Sequence, residues 1–297
     1  MSEENKRKLN EQLIKCILDD KLPVDKKLRK MDYIIRLGAD VNARHENGFS
    51  VLVSAKTIGN DEVIKFLEKR GANCIGCDKE KAEEFFRTAS VDEINKVLKV
   101  LPDGYELDCC VDLSKRGLTE LPDFSRVIVK GFFDCRINQL MTLNGAPSEI
   151  RGDFDCSHNK LISLRGAPRE VGSHFDCSYN GLDSLEGAPR VVGRSFNCIH
   201  NKLKTLEGAP SKFGGVFLCS HNKLDSLEGA PSKVSGLFDC RNNLLVSLRG
   251  APSEVDGDFD CSDNPLKSYE GKPDKIGGMF RASKIEQVNN INAGNSR

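Results

Sequence analysis

Tryptophan is absent from the 297 residues, and only 6% of the chain is aromatic. Net charge is also missing, because 44 basic residues offset 44 acidic ones. No basic run or basic-aromatic strip occurs, so a phosphate backbone is a poor partner and no nucleic acid is expected. No apolar stretch is long enough to cross a membrane, and the N-terminus carries no secretory signal pattern. With 12 cysteines in such a chain, a reducing cytoplasmic setting is expected, with no membrane contact. Gly-rich phosphate loops, H-E-x-x-H and G-x-S-x-G are missing too. Neither a cofactor nor a metal is therefore expected, and no catalytic residue is assigned.

What the chain does have is a beat. Cysteines stand at 135, 156, 177, 198, 219, 240 and 261, always the same interval apart. Phenylalanine keeps that period from Phe133 to Phe280, asparagine from Asn138 to Asn264, and leucine from Leu140 to Leu266. Six copies carry Gly-Ala-Pro, and the seventh carries Gly271-Lys272-Pro273. This is a tandem repeat. In "DFDCSHNKL", Phe154 and Cys156 alternate with Asp153, Asp155 and Ser157, the pattern of a short strand with one buried face. The return path from Leu161 to the next Phe175 is short and contains proline and glycine, which leaves little room for a helix. That path is expected to be extended or 3₁₀-like. No coil can bury its Phe, Cys and Leu alone, so coils must stack into a parallel sheet with strands ~4.8 Å apart.

The phrase F-x-C-S-x-N-x-L, as in Phe154, Cys156, Asn159 and Leu161, resembles the leucine-rich repeat core L-x-L-x-x-N-x-L. Its short, helix-poor copies look closest to repeats of bacterial effectors and to cysteine-bearing versions in predicted phage proteins. The leucine usual before the strand is displaced, with Ile150, Val171 or Val192 one position off. An opening copy, "VDLSKRGLTELPDF", puts Leu113 in the cysteine's place. The resemblance covers residues 109 to 281.

The first hundred residues differ. Gly38-Ala39-Asp40 returns further on as Gly71-Ala72-Asn73. Between them "NGFSVLVSA" resembles the start of an ankyrin helix, with Ser50, Leu52 and Ala55 in the key places. "GNDEVIKFLEKRGAN" supplies a second helix with a glycine stop, and Val63, Ile64, Phe66 and Leu67 form its apolar stripe. Flanking units read as helix pairs in "KRKLNEQLIKCILDD" with "KKLRKMDYIIRLGAD", and in "KEKAEEFFRTA" with "SVDEINKVLKVL". The whole is expected to be an α+β repeat protein. Ankyrin-type helical repeats (1–104) precede a leucine-rich-repeat solenoid (105–281) with a parallel β-sheet on its concave face, and a polar tail (282–297) follows. Almost no linker separates the two modules, so the helices are expected to dock on the first coil.

Residue types that suggest chemistry have bland readings as well. A cysteine in every coil is a small buried hydrophobe filling a column beside the phenylalanines. Asparagine at the strand-to-loop corner can bond the next coil's backbone as a ladder. Cys74-Ile75-Gly76-Cys77 falls in a hairpin loop rather than between strand and helix, as a redox motif would. Cys109-Cys110 has the wrong spacing for a zinc ribbon. His158, His200 and His221 share one repeat position, where an exposed polar column is a simpler reading than a metal site.

The outward positions of the strands carry the binding expectation. Between Phe and Cys stand Asp134, Asp155, Asp176, Asn197, Leu218, Asp239 and Asp260. Two residues before these come Phe132, Asp153, His174, Ser195, Val216, Leu237 and Asp258. The face is therefore acidic at both ends, with Val216, Leu218 and Leu237 as an apolar centre, rimmed by His200 and His221. Stacked aspartates repel, a strain that a basic partner would relieve; duplication alone would also copy an Asp. The candidate partner-binding residues are Asp134, Asp155, His174, Asp176, Tyr179, His200, Val216, Leu218, His221, Leu237, Asp239 and Arg241. The expected function is non-enzymatic protein–protein interaction. The resemblance implies a viral protein that binds and blocks a host defence or regulatory protein. A scaffold bridging two partners is the alternative, and a cysteine-dependent effector enzyme a further one.

Overall fold

Five of the six helices start at a residue whose side chain caps them. In the computed structural model, which describes residues 1–285, the six are α1 (Glu3–Leu18), α2 (Val24–Arg36), α3 (Val51–Ile58), α4 (Asp61–Glu68), α5 (Lys79–Thr88) and α6 (Val91–Val100). Ser2, Ser50, Asn60, Asp78 and Ser90 each accept a backbone N–H of the first turn. That satisfies donors the helix itself leaves orphaned. Ser90 and Glu93 form a reciprocal capping box. Gly59, at φ +79°, ends α3 in the left-handed conformation. Leu13, Met31, Phe49, Val63, Leu67 and Phe86 line the buried seam between these helices. No helix among the described residues is long and apolar enough to cross a membrane.

From Tyr105 onward the chain winds as a β-solenoid of 21-residue coils. Two-residue strands, running from Val111–Asp112 through Phe154–Asp155 to Phe280–Arg281, pair in parallel register as a nine-stranded front sheet. Each coil also contributes a second strand just before the first, such as Glu149–Ile150 or Glu170–Val171. The return path is thus extended, as its glycine and proline content implies. The displaced Ile150, Val171 and Val192 are the buried residues of this second strand. The back sheet runs from Tyr105–Leu107 to Lys212–Phe213 as six strands, breaks, and resumes with three from Lys233–Val234.

Three side-chain columns hold the coils together. Phe133 to Phe280 stack face on face at centroid spacings of 5.3 to 5.9 Å. Beside them the seven column cysteines are fully buried. In five of these coils the thiol donates to the next coil's backbone carbonyl at 3.3 Å, as Cys198 does to Leu218. The asparagine ladder joins each coil to the preceding one rather than the next. Asn201 Nδ2 donates to the carbonyls of Cys198 and Cys177, and its Oδ1 accepts the Leu182 N–H. One amide thereby satisfies backbone groups of two coils that stacking has removed from water. The glycine of Gly-Ala-Pro is required twice over: Gly166 has φ +90°, and a Cβ there would sit 2.7 Å from the backbone of Leu143.

The helical region closes the N-terminal end of this stack. Phe86 meets Phe124 at 5.5 Å, and Phe124 meets Phe133 at 5.1 Å, so the aromatic column continues into the helices. Arg116 of the opening coil donates to the Phe86 and Ala89 carbonyls at the end of α5, where a cation suits the helix dipole. Glu83 accepts the Cys110 N–H at 2.9 Å, and Asn95 accepts that of Asp123 at 2.8 Å. At the other end Tyr269 and Asp263 bond Ser283. The rest of the polar tail, 286–297, lies outside the described residues.

Candidate functional site

The front sheet presents its outward positions in columns, and the aspartate column has an internal duty that the sequence did not disclose. In seven of eight coils the Asp or Asn after the front-strand apolar residue accepts the backbone N–H two residues on, at 2.8 to 3.1 Å. This Asx turn ends the strand and starts the corner. Ser114, Ser178 and Ser262 add their hydroxyls to the same carboxylates. Each of these side chains thereby serves the turn of its own coil.

That duty changes what the face offers. Asp239 is only 2% exposed and is paired with Arg241 at 3.2 Å. It does not flank the apolar patch with free charge, as the alternation suggested. Arg136 lies 3.2 Å from Asp134 and 3.5 Å from Asp155. Burial pushes the carboxyls of Asp134, Asp176 and Asp239 above the ordinary range, since a poorly hydrated site disfavours the ionised form. Asp134, Asp155 and Asp239 thus already have arginine partners, and Asp176 is bonded to Ser178 and Asn197.

Leu218 is the exception among the eight coils, and the departures gather around it. Without an Asp at 218, the Ser220 amide has no Asx acceptor. The Ser220 hydroxyl is buried without an aligned partner, although it lies close enough to influence the Asp239 carboxylate of the next coil. On the back of the same coil Phe213 stands where neighbours carry valine or isoleucine, and the back sheet breaks after it. Phe213 packs edge-on against Phe217 at 5.6 Å. Val216, Leu218 and Leu237 are each half-buried and adjacent, because Leu218 pairs with Asp239 and Phe217 with Phe238 in register.

Alongside runs a ladder of rings. His158, Tyr179, His200 and His221 occupy one position of four consecutive coils and stack at 4.3, 4.4 and 4.2 Å. All four have φ between 53° and 55°, a left-handed conformation that histidine tolerates better than most residues and tyrosine less well. Loss of solvent, then the neighbouring His221, lowers the His200 pKa, because both disfavour the charged imidazolium. Parallel rings do not converge their lone pairs, and no group of three His, Cys, Asp or Glu among the described residues could hold a metal.

The structure thus brings together Val216, Leu218, Leu237, His200, His221, Tyr179 and Asp176. His174 is exposed on the neighbouring coils, its N–H bonded to Asp153. Asp134 and Asp155 lie four and three coils from Leu218, about 19 and 14 Å at strand spacing, and are not part of the patch. Phe213 and Ser220 belong to the odd coil although alternation did not single them out; the change from valine or isoleucine to Phe213 was the available signal. No protein-family model and no curated protein matches the chain. Fold and surface define a class: a repeat solenoid with parallel sheets, preceded by a helical region.

Proposed function

We propose that the protein is a non-enzymatic protein-binding solenoid whose contact surface centres on Leu218. The observation that carries this reading is the odd coil. In one coil the chain gives up the Asx turn, leaves a buried hydroxyl without an aligned partner, interrupts the back sheet and presents half-buried apolar side chains at its outer face. Departures from a repeat's own rules that weaken the fold together, in one place, are expected at functional sites. The apolar centre with a ring-edged rim has the anatomy of an interface. The ankyrin and leucine-rich-repeat readings rest on the motifs quoted above, and both repeat types serve as rigid binding surfaces. Those motifs also support a viral origin and a host defence or regulatory protein as partner. A second reading, a scaffold for two partners, draws on the open groove between α1 and the following loops, lined by Arg7, Asn10, Ile14, Asp40, Arg44 and His45.

The test is affinity capture from host lysate with the full chain and two variants. Leu218→Asp should leave the fold intact, because a new Asx turn would offset repulsion from Asp239, its register neighbour. It should weaken capture of the specific partner at least ~10-fold, as losses near an interface centre do. Arg7→Glu should leave that capture unchanged. Normal capture by Leu218→Asp, with loss in Arg7→Glu, would move the site to the helical groove.

A further inference from the structure

The ring ladder stands on a backbone that does not depend on rings. Its position keeps φ between 53° and 56° whether the residue is Lys115, Ile137, Tyr179, Asn242 or a histidine. The N–H there bonds the next coil's carbonyl: Ile137 to Ser157 at 3.0 Å, His200 to Ser220 at 3.2 Å, Asn242 to Ser262 at 3.0 Å. The main chain thus holds this corner, and its side chains can respond to conditions without unwinding the solenoid.

The last two rungs bear on the odd coil. His221 belongs to the same coil as Leu218, and the His200 N–H holds that coil's Ser220 carbonyl. Ser220 is also the residue whose amide has no Asx acceptor and whose hydroxyl has no aligned partner. Both histidines are half-buried. Their rings lie 4.2 Å apart and 12° from parallel, and the other face of His200 meets Tyr179 at 4.4 Å. Where other coils fix this corner with an Asp or Asn, the odd coil has the main chain and the His200–His221 contact.

Charge is what such a stack cannot carry. A proton on each ring would set two positive charges face to face, with solvent partly removed. The surrounding groups offer little compensation. Along the ladder the neighbours are Tyr179 and Asn242, neither of them a carboxylate. On the front sheet Asp176 is bonded to Ser178 and Asn197, and Asp239 is paired with Arg241. Toward the outer loop Lys202 and Lys223, both exposed, add further positive charge. Among the described residues the one histidine ion pair is that of His45 with Glu46. The lowered pKa of His200, set by loss of solvent and then by His221, agrees in sign. The folded chain holds this proton less tightly than an unfolded one, so acidification through the ordinary histidine value of ~6.5 destabilises the stacked arrangement.

We propose that the His200–His221 stack is a pH-sensitive latch on the odd coil, a regulation that rests on reading Leu218 as the contact centre. With both rings neutral, the stack keeps the rim of the Leu218 face in one shape. When both take up protons the rings part, the Ser220 corner loosens, and a bound partner loses its rim. Uptake comes in two linked steps, because a proton on either ring disfavours the second. His158 stacks on Tyr179 rather than on another histidine, so it is an internal control.

Two measurements on the full chain test the latch, and neither needs a partner. Proton–carbon spectra of the histidine rings, followed from about pH 8 to about pH 5, should show His200 and His221 titrating in two linked steps and His158 in one. His221→Asn, which copies Asn242 onto the same backbone, should turn the His200 curve into a single step displaced to higher pH. Hydrogen exchange of the segment 215–224, corrected for intrinsic rates, supplies the second readout. Its protection should fall at least ~5-fold on acidification, which is what two like charges at ring contact cost even in water. The double variant His200→Asn, His221→Asn should lose far less. A His200 curve indifferent to His221→Asn, or equal loss of protection in parent and double variant, would overturn the latch. Partner capture that stays constant with pH, while both readouts behave as expected, would overturn the link to the Leu218 surface and leave the latch standing.

Discussion

The coils that end their front strand with Asp and the coil that ends it with Leu218 share one backbone trace and one set of buried columns. They differ in what happens at the surface. In a regular coil, such as that of Asp155, the outward side chain serves the coil itself, accepting the Ser157 N–H at 2.9 Å. At Leu218 the side chain does nothing for its own coil. The Ser220 hydroxyl below it has no aligned partner, and the strands behind it do not continue into the next coil. The buried columns tolerate this because they are independent of the surface: Phe217 and Cys219 remain fully buried, and Asn222 keeps its bonds to Cys219 and Cys198. A solenoid can therefore specialise one coil's face without losing the stack.

The comparison breaks first if the columns are not what hold the coils. Asn201→Leu should destabilise the chain by about 3 kcal/mol, since it strands backbone groups of two coils without partners. Urea denaturation monitored by circular dichroism measures this, and a loss no larger than for an exposed substitution would show the ladder to be ornamental.

A mirror pair sharpens the contrast at the surface. Asp155→Leu, which copies the odd coil into a regular one, should cost about 1 kcal/mol through the lost Asx turn. Leu218→Asn, which copies the regular coil into the odd one without adding charge, should gain about 0.5 kcal/mol. Opposite signs in the two urea midpoints are the expected outcome; equal signs would mean that the aspartate column has no structural duty.

The smallest effect concerns pH. A carboxyl whose folded pKa is raised holds its proton more tightly folded than unfolded. Its stabilising contribution is present below the unfolded value and is lost as pH rises through the folded one. Asp176, raised by burial, therefore penalises the fold at neutral pH. Asp176→Asn should be more stable than the parent by up to about 1 kcal/mol at pH 7, with the gap shrinking toward about pH 4. Asp32 in the helical region is held below the ordinary range by Arg70, so its contribution runs the other way and is lost as pH falls. A gap that widens on acidification would contradict the assignment.

Much of this molecule was legible in its residues. A strict period announces the columns, because each position of the repeat meets its own copy in the next coil and must suit it. The six helices were legible from apolar stripes and their capping residues. The second strand of each coil was not, since two residues with one buried side chain leave hardly any periodicity. The Asx turns were hidden for another reason: an Asp on a strand's outer face reads the same whether it faces solvent or bonds its own backbone. The left-handed corner was masked by Ile137, Tyr179 and the histidines, residues that do not advertise a positive φ as glycine does.

Leu218, on this reading, is freed from its coil in order to meet a partner. Leu218→Asn tests that most directly, because the variant repairs the coil while removing the apolar contact and introduces no charge. Quantitative capture from lysate by the variant and by the parent, at equal folded concentration, is the measurement. The better-folded variant should lose its specific partner at least ~10-fold. Undiminished capture would contradict this and leave the odd coil without a function.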